Sequence, residues 1–335
     1  MRFIKNTKIG IISPSNNVLM YFPNRTKTGI SNLKEIGFDV VFSNNAYREN
    51  DYTKESVKDK ILEINELMNQ DIDLLMASIG GYLSIQILKL LDYQKIKNKK
   101  ITFCGSSDIT ALLLAIYVKT GLITLYGPTY TVNMCDYGGV DEYTKNSFLD
   151  CYNHKSITYS PSNYEITEYI DWNDLEKKKI IKKRTSKRND WHIIKEGNAE
   201  GKLIGGNLST ILLTLGTKFL PENTFDNSIL FLEDCETNIN EFCSYIECLK
   251  LHGVLDKVKG IIFGKFDTNN MNEAIDNFVL NYFEEYNIPI VTNLDFGHVC
   301  PILTLPIGAK AILNCDNNEI NFTVEFEKNK YYGKL

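Results

Sequence analysis

The stretch ITFCGSSDITALLLAIY, residues 101–117, holds the features that decide the fold. A short apolar run ends at Gly105, and an apolar helical stretch begins at Asp108 after two serines. This order predicts a buried strand that turns directly into a helix, with a serine at the apex of the turn. A serine placed there would lie at the carboxyl end of a parallel sheet, where free N–H groups of the helix start can stabilise an oxyanion.

Short apolar runs alternate with amphipathic ones on both sides of this stretch. The predicted strands are KIGIIS, FDVVFS, DLLMASIGG and KITFCG, and the predicted helices cover 29–36, 55–69 and 83–91, with a fourth beginning at Asp108. Strands separated by helices of this length indicate parallel βαβ units. We therefore expect an N-terminal doubly wound parallel-sheet domain over residues 1–155.

The periodicity lapses after Ser160 and returns at Gly201. The segment 177–188 holds eight basic residues, which fits either a solvated, mobile connection or a lid that closes over an anionic substrate. Later helices are predicted over 208–215, 239–252 and 273–285, with strands SILFLED, VKGIIFG and IPIVTNL and a terminal hairpin in AKAILNCDNNEINFTVEF. We expect a connecting segment over 156–200, a C-terminal mixed α/β domain over 201–335, and an active site between the two domains.

Composition excludes several classes of protein. A length of 335 residues exceeds the size at which one core usually stops growing, so two domains are expected. The net charge of -5 gives no reason to bind nucleic acid or an anionic membrane surface. The expected partner is therefore a small molecule or another protein. No apolar run reaches the roughly 18 residues of a membrane span, and no signal peptide pattern is present, so we expect a cytoplasmic protein. The eight cysteines lack CxxC spacing and several lie in apolar runs, which favours buried reduced thiols over disulfides or a metal site.

Two glycine and serine turns are candidates for chemistry. Ser107 is the candidate nucleophile and the N–H of Asp108 an oxyanion donor. Helix capping explains Ser106, Ser107 and Asp108 equally well, because these residue types are preferred at the N-cap, and GSSD lacks the second glycine of GxSxG. The second turn, Gly80 and Gly81 after DLLMASI, either supplies another oxyanion N–H from Gly81 or is an ordinary strand-to-helix turn.

A serine nucleophile needs a base, and the chain offers four histidines. His298 lies in DFGHVCPI, between a glycine and an apolar segment, as a loop residue held by a rigid frame would. Glu233 ends the apolar strand SILFLED and could orient that imidazole, although a strand-end acid facing water explains Glu233, and the following Asp234, as well. Activity is then expected to fall on acidification near the reference histidine pKa of about 6.5.

Several ordered motifs resemble the LD-carboxypeptidase family of serine peptidases, and within it the MccF-like branch of microcin C immunity peptidases. They span nearly the whole chain: IGIISPS at 9–15, SIGGYLS at 78–84, FCGSSDITAL at 103–112, AEGKLIGGNLST at 199–210, ILFLED at 229–234, and the GH of 297–298 before LPIG. One departure concerns the substrate side of the pocket: this chain continues after ILFLED with CETNINEFCSYIECLK in place of a tyrosine- and arginine-rich stretch.

The resemblance implies a role for each matched residue. Ser107 would be the nucleophile, Glu233 the acid and His298 the base, with oxyanion N–H groups from Gly81 and Asp108. It further implies a homodimer that needs no cofactor and no metal. The position before Ser107 is a serine and not the more usual aromatic residue, which leaves Ser106 as an alternative nucleophile.

The substrate is predicted from the tryptophans that flank the basic run. An aromatic ring beside cationic side chains suits a nucleobase and a phosphate, and in the microcin branch a tryptophan of this loop stacks on adenine. Trp172 is the first candidate and Trp191 the second, with Asn207 as a further substrate contact, although both rings could simply anchor the loop. The predicted reaction is amide cleavage of an aminoacyl-nucleotide; the alternatives are LD-carboxypeptidase action on murein peptides and a non-catalytic small-molecule binding protein.

Overall fold

Two β-sheets, of six and eight strands, form the framework of the computed structural model, which describes residues 7–49, 53–187, 191–266 and 271–326. The strands are β1 Thr7–Ile12, β2 Phe38–Phe42, β3 Leu74–Ala77, β4 Thr102–Gly105, β5 Thr124–Tyr126, β6 Ile157–Tyr159, β7 Tyr164–Glu165, β8 Thr185–Ser186, β9 His192–Lys195, β10 Gly197–Asn207, β11 Ser228–Glu233, β12 Gly260–Lys265, β13 Ile290–Gly297, β14 Leu305–Ile307, β15 Lys310–Asp316 and β16 Glu319–Glu325. The helices are α1 Pro23–Glu35, α2 Lys54–Asn69, α3 Tyr93–Lys99, α4 Thr110–Thr120, α5 Glu142–Tyr152, α6 Trp172–Lys178, α7 Leu208–Thr214, α8 Ile239–Leu251 and α9 Met271–Tyr282.

The N-terminal sheet has the strand order β14-β5-β4-β3-β1-β2. Its first five strands in the chain are parallel, and β14 from the C-terminal part of the chain joins β5 antiparallel at one edge. Every residue of β3 and β4 is buried, as expected for central strands of a parallel sheet with both faces covered. The predicted doubly wound parallel sheet is confirmed.

The helices of this half match the sequence predictions unequally. Helix α2 agrees with the predicted 55–69, because the Thr53 side chain accepts a hydrogen bond from Ser56 N and caps its start. The helix predicted over 83–91 is wrong: only a short 3₁₀ turn, Ser84–Ile87, forms there. Helix α3 begins after Asp92 instead, whose carboxylate accepts from Lys95 N, so the N-cap and not the apolar period places this helix. Helix α1 begins at Pro23, six residues before its predicted start.

The second sheet has the order β6-β16-β15-β10-β11-β12-β13-β9. Strands β10 to β13 are parallel, and their outer neighbours are antiparallel, which confirms the predicted mixed sheet. The terminal hairpin is β15 and β16, and Asn317 and Asn318 both adopt positive φ in its turn. Asn tolerates that conformation better than most residues, which is why the Asn-Asn pair marks the turn.

Helix α4 lies where the two sheets meet. Eight of its residues are buried, all but three of its eleven, so it is apolar on every side and not along one stripe. The hydroxyl of Thr110 at its start accepts a hydrogen bond from the backbone N–H of Asn207, at a distance of 3.0 Å. The turn before α4 is thereby held against the carboxyl edge of the second sheet.

The predicted connecting segment, residues 156–200, contains strands and a helix. β7 pairs with β8 in a two-stranded sheet, while β6 and β9 join the two edges of the eight-stranded sheet. Arg188, part of the predicted basic run, lies outside the described residues. The boundaries 1–155, 156–200 and 201–335 remain a predicted division. Within the described ranges, no helix combines the length and apolar character needed to cross a membrane.

Candidate active site

The turn after β4 holds Ser107 in a left-handed conformation. Ser106 is extended at φ -140°, whereas Ser107 has φ +60°. A non-glycine residue in that region costs about 1–3 kcal/mol, so surrounding contacts must hold it there. Gly80 packs directly against it, because a Cβ on Gly80 would lie 2.8 Å from Ser107 Cβ and 3.0 Å from its Oγ. The structure therefore forms the sharp strand-to-helix turn that the sequence predicts.

The Asp108 carboxylate connects this turn to the loops that follow β1 and β3. Its Oδ2 accepts hydrogen bonds from Ser15 Oγ at 2.5 Å and from Ser84 N at 2.8 Å, and the Ser84 hydroxyl donates to the Asp108 carbonyl at 2.6 Å. Asp108 is 4% exposed, so these contacts are shielded from water. Sequence reasoning assigned only the backbone N–H of Asp108 and missed this use of its side chain.

Gly81 lies on the loop that follows β3 and adopts φ +136°. A Cβ there would approach Asn16 Cγ to 2.4 Å, so both conformation and space require glycine. Neither the N–H of Gly81 nor that of Asp108 donates a hydrogen bond to another described residue. Both remain predicted oxyanion donors.

Three parallel strands bring polar groups to one edge of the second sheet. Asn207 ends β10, Glu233 ends β11 and Gly297 ends β13, with His298 next in the chain. Carboxyl ends of parallel strands meet at the same edge, where ligand sites of open α/β sheets form. Ser107 reaches this edge from the first sheet, and Ser107 and His298 line the same cavity of about 700 Å³.

A hydrogen bond joins the buried Glu233 carboxylate to the half-buried imidazole of His298. Glu233 Oε2 accepts from His298 Nδ1 at 2.7 Å, and Oε1 accepts from the Tyr126 hydroxyl at 2.5 Å and from Asn207 Nδ2 at 3.2 Å. Glu233 is 0% exposed and Asp234 is 2% exposed, so the alternative of acids facing water is wrong for both residues. A carboxylate so desolvated persists because three donors satisfy it.

The pair shifts both pKa values toward the charged forms. Burial alone would raise the pKa of Glu233, but the charge of His298 and the three hydrogen bonds outweigh it and hold this pKa below its ordinary value. Burial alone would lower the pKa of His298, but the charge of Glu233 and hydrogen bonds to Cys235 and Glu233 raise it well above 6.5.

The other three histidines lie away from this cavity. His192 Nδ1 is 2.6 Å from Asp276 Oδ2, and His252 Nδ1 is 3.4 Å from Glu222 Oε1, both on exposed surface. His154 is packed near Phe326, and burial lowers its pKa to about 4. None of the three is among the described residues that line the cavity with Ser107, which leaves His298 as the base candidate.

The predicted substrate contacts are already engaged within the protein. Trp172 begins α6, with its ring edge-on to Phe22 at 5.2 Å and 5.2 Å from the Arg25 guanidinium. Trp191 is 7% exposed and donates from Nε1 to Asp295 at 2.8 Å. Neither ring is among the described residues lining the cavity.

Asn207 binds protein groups on several sides. Besides Glu233, its amide donates to Asp234 Oδ1 at 3.0 Å, and its carbonyl oxygen accepts from Thr210 N at 3.1 Å, where it caps α7. It therefore supports the Glu233 carboxylate from the neighbouring strand. Its contact with substrate stays a prediction.

Tyrosines that sequence reasoning passed over line or support the site. Tyr169, in the connecting segment, is 90% exposed and lies on the cavity wall with Tyr164. Tyr126 is fully buried under the site and bonds to Glu233. Tyr126 lies in the apolar run LITLYG, which gives no sign of a polar function, and Tyr169 lies in sequence without periodicity, so neither carried a local signal.

Gly297 leaves the space in which the Glu233 carboxylate contacts His298. Gly297→Ala is expected to reduce activity about 100-fold. Its φ is +106°, and an added Cβ would lie 2.7 Å from Glu233 Oε2, so the carboxylate must move off His298. The measurement is kcat together with Tm.

Gly139→Ala is the matched control for backbone strain. Gly139 has φ +98° with nothing within 4 Å of an added Cβ, so this variant should lose stability but keep activity. Equal loss of activity in both variants would show that strain and not displacement of Glu233 is responsible.

Comparison with known proteins gives the same picture across the chain. Residues 9–127 match the LD-carboxypeptidase N-terminal domain, and residues 200–313 match the LD-carboxypeptidase C-terminal domain. The chain is 33% identical to the microcin C7 self-immunity protein MccF of Escherichia coli, over 95% of this chain and 93% of that protein. It is 25% identical to a Bacillus subtilis protein named a probable murein peptide carboxypeptidase, over 92% of this chain and 89% of the relative.

Structural similarity is equally extensive. A solved structure of MccF in complex with aspartyl sulfamoyl adenosine matches with a TM-score of 0.87 at 32% identity, covering 96% of this chain and 97% of that one. The two matched domain regions contain Ser107, Glu233 and His298. The similarity thus includes both sheets and the edges that face the cavity.

Proposed function

This chain belongs to the LD-carboxypeptidase family, and we propose that Ser107, His298 and Glu233 act in it as a catalytic triad. Members of this family are hydrolases of the serine carboxypeptidase type, and this chain is one of them. The observation that supports the triad is the Glu233–His298 hydrogen bond, in which a buried carboxylate holds an imidazole that shares a cavity with a serine on a left-handed turn. A helix cap alone would not require that turn to face a carboxylate–imidazole pair.

The proposed mechanism assigns each proton to an atom. Nδ1 of His298 is hydrogen-bonded to Glu233, so Nε2 is the nitrogen free to accept a proton. It accepts the proton of the Ser107 hydroxyl as Oγ attacks the amide carbonyl. The N–H groups of Gly81 and Asp108 bind the oxyanion of the tetrahedral intermediate, and each such donor contributes about 3–4 kcal/mol in related sites. Nε2 then protonates the leaving nitrogen, and water hydrolyses the acyl-enzyme by the same route.

We propose that the substrate is an aminoacyl-nucleotide conjugate with an acidic aminoacyl group. Support comes from the 33% identity to MccF and from the MccF complex with aspartyl sulfamoyl adenosine. The cavity of about 700 Å³ is in the range of small-ligand sites, and the exposed ring of Tyr169 offers a face for an aromatic group. Murein tetrapeptides are the alternative, supported by the more distant relative named for that substrate.

The substrate proposal is tested by comparing kcat/KM for aspartyl sulfamoyl adenosine and for an L,D-linked tetrapeptide. We expect preference for the adenosine conjugate, and a loss of about 5- to 100-fold on that substrate alone in Trp172→Ala if the ring stacks on the base. Trp172→Phe keeps an aromatic face and should retain most activity. The Trp172 ring packs against Phe22 and Arg25 and is not among the described residues that line the cavity, so stacking requires the bound base to reach this ring or the ring to approach the cavity.

Two results would reject the nucleotide proposal. One is higher kcat/KM for the tetrapeptide in the parent protein. The other is adenosine-conjugate cleavage that is indifferent to Trp172→Ala and Trp191→Ala alike. Because Trp191 donates to buried Asp295, its variant is read together with its Tm, so that lost packing is not mistaken for lost substrate contact.

The pH dependence of kcat/KM should show an acidic limb with a midpoint above 6.5. Only neutral His298 can accept a proton, and the Glu233 carboxylate raises the pKa of that imidazole, so activity is lost as pH falls through the raised value. The sequence alone suggested the reference value, and the buried pair moves the midpoint upward. A midpoint at or below 6.5 would contradict this effect of Glu233.

We propose further that the protein is a cytoplasmic homodimer, as the family resemblance implies. The described chain offers no membrane-spanning helix, which is compatible with that location. Sedimentation of the purified protein at several concentrations measures the oligomeric state. A monomer at all concentrations would reject the dimer.

A further inference from the structure

One buried hydroxyl contacts two members of the proposed triad. The Tyr126 oxygen donates to Glu233 Oε1 at 2.5 Å and accepts from the backbone N–H of Ser107, with an N···O distance of 3.3 Å. Tyr126 ends β5 in the first sheet and is 0% exposed, whereas Glu233 ends β11 in the second. The ring packs edge-on against Phe231 of β11, with 5.5 Å between centroids. This single side chain therefore joins the two sheets at the site.

We infer that Tyr126 is a positioning residue that holds the nucleophile turn and the acid of the triad in register, an inference that rests on the proposed function. A phenol hydroxyl can donate one hydrogen bond, and Tyr126 donates it to Glu233. The phenol oxygen also accepts a hydrogen bond from the backbone N–H of Ser107. The bond to Glu233 is buried and the bond to Ser107 is part-buried, so loss of the phenol hydroxyl leaves shielded polar groups without this partner. No other described side chain contacts both residues by hydrogen bonds.

The contact with Ser107 bears on the oxyanion site. The left-handed φ of +60° persists only where neighbouring groups determine it, and the Tyr126 oxygen binds the N–H of that same residue. The N–H of Ser107 is thereby committed to the protein interior. Donors for an oxyanion must then come from other residues, which agrees with the proposed use of Gly81 and Asp108.

The contact with Glu233 sets which oxygen faces the histidine. Tyr126 and Asn207 both donate to Oε1, so Oε2 is the atom left for His298 Nδ1. Tyr126→Phe removes one hydrogen bond to the Glu233 carboxylate. More negative charge then remains on the carboxylate, which stabilises protonated His298 more strongly. The pKa of His298 should therefore rise in Tyr126→Phe, with Asp234 and Cys235 as the other titratable groups near the pair.

The test compares Tyr126→Phe with Tyr159→Phe. Tyr159 is also buried and donates to a backbone carbonyl, that of Thr304 at 2.7 Å, so it controls for loss of a buried phenol hydroxyl. The readouts are the labelling rate of Ser107 by a fluorophosphonate and the NMR titration midpoint of His298. We expect labelling on the order of 10- to 100-fold slower and a higher midpoint in Tyr126→Phe, with parent-like values in Tyr159→Phe.

Each outcome separates this inference from the proposed function. Parent-like labelling and an unchanged His298 midpoint in Tyr126→Phe would overturn the role of Tyr126 while leaving the triad in place. A parent protein that is not labelled at Ser107 would reject the triad, and the His298 midpoint would still decide whether Tyr126 acts on Glu233. If Tyr126→Phe does not fold, the hydroxyl proton of Tyr126 in the parent decides: slow exchange and a shift on titration of His298 support the inference, and fast exchange overturns it.

Discussion

Ser107→Ala is expected to reduce hydrolysis by about 1000-fold or more while leaving the fold intact. The change removes the oxygen that we propose attacks the amide carbonyl, and no other described serine combines a left-handed turn with contact to Tyr126. Alanine keeps the Cβ that packs against Gly80 and has the same backbone cost at φ +60°, so Tm should change little. The measurements are kcat on the adenosine conjugate, stoichiometry of fluorophosphonate labelling, and Tm.

Ser106→Ala is the matched control for the choice of nucleophile. Ser106 lines the same cavity, but its backbone is extended and its side chain makes no capping hydrogen bond to α4 or to the turn. This variant should keep labelling at Ser107 and most of its activity. An inactive Ser106→Ala together with an active Ser107→Ala would show that Ser106, and not Ser107, is the nucleophile.

Glu233→Gln is expected to lower kcat by about 10³- to 10⁴-fold with little change in substrate binding. A glutamine has one acceptor oxygen and one NH₂ group for positions where the carboxylate accepts from Tyr126, Asn207 and His298. If the oxygen stays with Tyr126 and Asn207, the NH₂ donates to His298 Nδ1. The imidazole proton then lies on Nε2, and the base cannot accept from Ser107.

Asp234→Asn distinguishes orientation of the base from general loss of buried charge. Asp234 is the next residue, is also buried, and accepts from Ser209 N at 2.9 Å and from Asn207. It makes no described hydrogen bond to His298, so its variant should lose far less activity than Glu233→Gln. Equal losses would mean that Glu233 has no special role.

In Glu233→Gln, the acidic limb of the pH profile should also move to lower pH, because the carboxylate that raises the pKa of His298 is gone.

Local sequence was sufficient for much of the architecture. The parallel sheet follows from apolar runs alternating with amphipathic ones, and the terminal hairpin follows from Asn317 and Asn318, because period and turn chemistry act over a few residues. The error at 83–91 has a local cause as well: an apolar period continued through Leu91, but the cap at Asp92 starts the helix. The capping hydrogen bond at Asp92, and not the apolar periodicity, therefore determines where this helix begins.

The catalytic candidates divide along the same line. Ser107 is a candidate from its own neighbours, since a strand, a turn and a helix start are contiguous in sequence, but helix capping explains the same residues equally well. Glu233 and His298 were ambiguous singly, and only their order among the family motifs singled them out. Whether Glu233 faced water or an imidazole depended on which strands lie side by side, and the structure places β11 and β13 so that their ends meet.

Tertiary structure alone decided how the groups are held. Tyr126 and Glu233 are 107 residues apart in the chain and lie in different sheets, yet one hydroxyl bonds the acid and the nucleophile turn. No periodicity encodes such a contact, because hydrogen bonds across a sheet interface depend on the relative placement of two separately formed sheets. The sequence by itself determined which residues can form strands and turns, including the strand-to-helix turn that carries Ser107. Which side chains meet depends on the packing of α4, which is buried on nearly every side, contacts strands of both sheets and binds the end of β10 through Thr110. Burial of that apolar surface favours the arrangement in which elements of both sheets cover it.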